Sequence, residues 1–73
     1  MDAGLLTDPR RYASYNVDVA KYGPAMRSRY GVTSDADHAH LEHHWAIRFE
    51  TDPQSIIAFE EAKQAYLAWL LDH

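Results

Sequence analysis

A chain of 73 residues with 47% hydrophobic content, 12% aromatics and a formal net charge of −4 has room for one small folded domain and none for a buried multi-substrate cleft. The absence of cysteine excludes disulfides, thiolate zinc sites, iron–sulfur clusters and cysteine nucleophiles, which leaves histidine and carboxylate as the only metal ligands. The negative charge disfavours direct nucleic-acid binding, which relies on clustered Lys and Arg, and no apolar run approaches the ~20 residues of a bilayer span, so a soluble, cytoplasmic protein is expected.

In chain order, "TDP" is the first punctuation. Thr7 or Asp8 can cap a helix whose first residue is Pro9, where the missing N–H is no loss. The helix expected from about Asp8 to Tyr22 carries Tyr12, Tyr15, Val19 and Tyr22 on one stripe and stops at Gly23. Residues 14–20 also alternate as a half-buried strand would, with Tyr15, Val17 and Val19 on one side. Pro24 then opens a short helix through "PAMRSRY", closed by Gly31 in the left-handed conformation.

"SDAD" at 34–37 fits a capping pattern, with the Ser34 hydroxyl accepting from the Asp37 N–H and two carboxylates facing the positive end of the helix dipole. It predicts a helix from about Asp35 toward Glu50, although Leu41, Trp45, Ile47 and Phe49 again alternate, so residues 43–50 also read as strand. Asp52 and Pro53 start the last and most strongly marked helix, which is rich in Ala, Leu, Glu, Lys and Gln. Its broad apolar side, with Ile56, Phe59, Ala62, Tyr66, Trp69 and Leu70 widened by Ile57 and Leu67, calls for several neighbouring elements or a second copy of the chain. The expected architecture is mainly α, a small helical domain with a long C-terminal helix. Its alternative is an α+β domain in which residues 14–20 and 43–50 pair antiparallel beneath that helix.

His38, His40, His43 and His44 crowd into seven positions. They read as the wet side of a helix, as a pH-responsive patch, or as a metal site in which His40 and His44, four apart, face one ion. The zinc-protease spacing is absent, because Glu42 sits two residues after His40 instead of one. Neither a glycine-flanked serine elbow nor a phosphate-cradling glycine loop occurs, and no cofactor motif is present, so an enzyme is not expected.

The charges are unevenly placed. Residues 1–34 are mildly basic, whereas residues 35–73 hold eight carboxylates against Arg48 and Lys63. Such asymmetry steers a protein toward a basic partner surface. The residues expected to carry that contact are Glu42, Glu50, Asp52, Glu60 and Glu61 around Trp45 and Trp69. Arg27, Arg29 and Tyr30 are expected to form a second exposed cluster, since Tyr, Trp and Arg dominate binding hot spots.

The acidic C-terminal stretch "FEEAKQAYLAWLLDH", in a cysteine-free, aromatic-rich chain of this size, resembles the small proteins that phages make to seize host machinery. Among these is a phage transcription regulator that binds bacterial RNA polymerase. The resemblance implies a non-enzymatic regulator that binds a larger host protein. Composition equally suits an antitoxin, an immunity protein or an anti-defence protein, and the histidines leave a metal-binding protein as the other reading.

Overall fold

Two aspartates set the N-terminal half. In the computed structural model, which describes residues 1–72, the Asp2 carboxylate accepts from the Gly4 N–H at 3.0 Å and caps α1 (Ala3–Thr7). The Asp8 carboxylate accepts from the Arg10 N–H at 2.9 Å and caps α2 (Pro9–Tyr22), with Pro9 at the first helical position. A 3₁₀ helix follows over Pro24–Tyr30, and Gly31 ends it at φ +76°.

The Ser34 hydroxyl accepts from the Asp37 N–H at 3.1 Å, as the capping pattern predicts, and starts α3 (Asp35–Thr51). After Asp52 the chain turns into α4 (Pro53–Asp72), the longest helix. The domain is therefore helical with a long C-terminal helix, and no strand occurs among the described residues. The strand alternative fails for residues 14–20 and 43–50 because both lie inside well-capped helices whose core positions follow helical spacing. The short helix α1 is not anticipated by the sequence pattern.

The core is aromatic. Tyr12 lies flat against Trp45, with ring centroids 5.1 Å apart and planes 7° apart; Phe49 tilts against both rings, and Phe59 tilts against Tyr12 and Phe49. Tyr15 meets Tyr30 edge-on at 5.3 Å, and Leu5, Val32 and Leu41 close the remaining sides. Helix α4 lies mainly on α2 and secondarily on α3, through Ser55, Ala58, Phe59, Ala62 and Tyr66. Its buried side is narrower than the sequence suggests. Ile56, Ile57, Leu67, Trp69 and Leu71 are all exposed, because among the described residues the helix is covered mainly by α2 and α3, which leave its far side bare.

Candidate partner-binding surface

The histidine-rich helix is built first of all to hold α1. The last carbonyls of any α-helix lack partners within the helix, and in α1 they are taken up by side chains of α3. Trp45 Nε1–H donates to the Leu5 carbonyl at 2.7 Å, His44 Nε2 meets the Leu6 carbonyl at 2.7 Å, and an Arg48 guanidinium N–H donates to the Thr7 carbonyl at 3.2 Å. The Arg48 guanidinium also lies over the Trp45 ring at 5.1 Å.

His38 has a second structural role. Its Nδ1 is 2.6 Å from the Tyr15 hydroxyl and its Nε2 is 2.9 Å from a Glu42 oxygen. In the neutral ring the tautomer that serves both contacts accepts from Tyr15 and donates to Glu42. His40 and His43 are exposed. Of the pair His40 and His44, His44 Nε2 is engaged by the Leu6 carbonyl, and no three His, Asp or Glu side chains among the described residues are grouped to hold an ion.

Two expected contact residues prove to be interior. Trp45 has no exposure because its ring stacks on Tyr12 and its N–H is spent on Leu5. Tyr30 is 5% exposed: its ring lies edge-on to Tyr15 with the Arg11 guanidinium 4.5 Å above it, and its hydroxyl donates to Asp18. Neither is available to a partner. Arg27 turns back to pair with Asp35 at 3.2 Å, whereas Arg29 is exposed and its side chain makes no hydrogen bond or ion pair among the described residues.

The acidic residues fare differently. Glu42, Glu50, Glu60 and Glu61 are exposed and Asp52 is half-buried. Glu60 and Glu61 share the outward side of α4 with Ile57, Gln64, Leu67 and Leu71, and positions 57, 60, 64, 67 and 71 repeat at alternating intervals of three and four, as one stripe along a helix must. Leu71 is 88% exposed and Ile57 56%. Trp69, also exposed, lies round the helix beside Tyr66, with ring centroids 6.0 Å apart. His73, which ends the acidic stretch 59–73, lies outside the described residues.

Sequence reasoning missed Asp18. This carboxylate, 7% exposed, accepts hydrogen bonds from the hydroxyls of both Tyr30 and Tyr66, and so ties α2 to the 3₁₀ helix and to α4. Donation to Asp18, with burial, pushes Tyr66 up to about 12 from its usual 10.0, and burial followed by the same carboxylate raises Tyr30 further. A phenol whose folded-state pKa is raised contributes stability that is fully present below pH 10.0 and is lost as pH climbs through the folded value. The melting temperature is therefore expected to fall between pH 10 and about 12, and Tyr66→Phe is expected to flatten part of that fall. An equal slope in the variant would show that the Tyr66 proton plays no part.

No protein-family model, curated protein sequence or solved structure matches this chain. Among the described residues no helix is long and apolar enough to cross a membrane.

Proposed function

We propose that the protein is a non-enzymatic regulator, acting in the cytoplasm, that docks on a larger protein with a basic surface. The observation that carries this reading is the outward stripe of α4, where Ile57, Leu67 and Leu71 stand exposed among Glu60, Glu61 and Gln64. An apolar helix face left bare in a domain this small marks an interaction surface, and the flanking carboxylates suit lysine and arginine on the other side. Helix-in-groove recognition uses this spacing of anchors. Glu42 and Glu50 on α3 add to the acidic field from a distance.

Bacterial RNA polymerase is the first partner to test, given the resemblance to phage regulators. Immobilised protein and purified polymerase should associate more slowly as salt rises from about 50 to about 500 mM, because screening removes the electrostatic steering. Ile57→Glu or Leu71→Glu should weaken the complex about tenfold or more while leaving the fold intact, since both side chains already face water. Absence of binding by the wild-type chain removes polymerase from the proposal. Wild-type affinity in both variants, with whichever partner is found, removes the α4 face.

A further inference from the structure

A buried carboxylate is ordinarily matched by a cation. Asp18 is not: its two oxygens receive the Tyr30 and Tyr66 hydroxyls, both neutral donors, and it takes part in none of the ion pairs formed by the described residues. The same carboxylate lines an open groove of about 480 Å³ together with Tyr22, Met26, Tyr66, Trp69 and Leu70, a size within the range of small-molecule sites.

Three of these residues are aromatic, and the faces of such rings attract cations. Tyr22 already does so within the chain, where Lys21 Nζ lies 5.7 Å from its ring centroid. Tyr22 is also the last residue of α2, so the groove adjoins the negative end of that helix's dipole. Unmatched buried charge, aromatic walls and a helix C-terminus all favour the same sign of ligand. Exposed Arg29 lines the groove as well and opposes a cation. That opposition makes its removal informative.

We propose that this groove between the end of α2, the 3₁₀ helix and the C-terminal half of α4 binds a small organic cation of the quaternary-ammonium class, with Tyr22, Tyr66 and Trp69 around its head group and Asp18 as the counter-charge. A bulky, weakly hydrated head group loses little on leaving water and covers several rings at once, which a compact primary ammonium does not.

The test is a nuclear magnetic resonance titration of the intact chain with choline, with its neutral tert-butyl analogue and with N-acetyl-lysine amide. Choline is expected to shift the Tyr22, Tyr66 and Trp69 signals saturably in the millimolar range, with the neutral analogue and the primary ammonium each weaker by several-fold. Tyr22→Leu, a change at an exposed position, should weaken choline about 2- to 5-fold, and Arg29→Gln should tighten it. Asp18→Asn, which keeps an acceptor for one hydroxyl, should abolish the preference for choline over its neutral analogue.

Equal binding of the neutral analogue would reduce the site to an apolar groove and overturn the proposal. So would weaker binding on Arg29→Gln, which would mark an anion site, and tighter binding of the lysine amide would overturn the quaternary class. Absence of any saturable shift in the wild-type chain would overturn it outright.

Discussion

Trp45→Ala is expected to leave the chain largely unfolded at room temperature. At about 0.05–0.15 kcal/mol per residue a domain of this length holds only some 4–11 kcal/mol of net stability, and removing a fully buried large aromatic costs about 3–5 kcal/mol. Here the loss goes beyond the cavity. The indole is the flat partner of Tyr12, the tilted partner of Phe49, the platform under Arg48, and the donor to the Leu5 carbonyl at 2.7 Å. Alanine leaves that carbonyl buried and unpaired, which adds about 1–3 kcal/mol. Trp45→Phe separates the two contributions, because it keeps most of the ring and loses the donor. Urea unfolding followed by circular dichroism should give an intermediate midpoint for the phenylalanine variant and no cooperative transition for alanine. A full transition within about 1 kcal/mol of wild type in the alanine variant would show that Trp45 is not the centre of the core.

Gly31→Ala is the second large effect. The residue has φ +76°, where a side chain is strained, and a Cβ there would lie 2.9 Å from the Met1 Cα and 3.1 Å from the Asp2 nitrogen. Both obstacles are backbone, so neither can rotate away. The Asp2 N–H donates to the Tyr30 carbonyl at 3.1 Å, and the methyl group would push that strand of chain off its acceptor. The expected cost is about 1–3 kcal/mol for the backbone alone, with the displaced N-terminus adding to it. Gly23→Ala supplies the comparison: it too has positive φ, at +95°, yet nothing lies within 4 Å of its Cβ. Gly23 has ψ 174° against 14° at Gly31 and strains alanine in its own way, so the decisive result is Gly31→Ala melting at the wild-type temperature, which would show that the contact with Met1 contributes nothing.

Much of this fold was legible because it is written in caps and stops, which act locally. Asp8 before Pro9, Ser34 with Asp37, Pro53 and the left-handed Gly31 each fix an element boundary through atoms within four residues. Helix α1 escaped notice because five residues are too few to show periodicity, and so short a helix does not stand without tertiary support.

The site was less legible for a related reason. Whether an aromatic residue faces inward depends on elements distant in sequence. Trp45 and Tyr30 were expected at the surface, and each is instead committed to a partner: Trp45 to Leu5, forty positions away, and Tyr30 to Asp18, twelve away. The histidines likewise divide by what lies opposite them. His38 finds Tyr15, His44 finds Leu6, and the two that meet nothing, His40 and His43, remain the solvated face that the composition suggested. Glu42, Glu50, Glu60 and Glu61 stay in water, whereas Asp18 is buried because two hydroxyls from distant elements meet it.

The fastening of α1 by three side chains of α3 has a consequence for how the molecule comes together. The contacts to Leu5, Leu6 and Thr7 span 40, 38 and 41 residues, among the longest loops that the chain closes. Closure of a long loop costs entropy before it returns any contact energy. Residues 3–7 are synthesised ahead of α3, yet their helix acquires its carbonyl partners only after residue 48 has been made and α3 has formed. A segment that precedes α3 in the chain is thus locked in place after it, and until then Leu5, fully buried in the finished core, lacks the side chains that cover it.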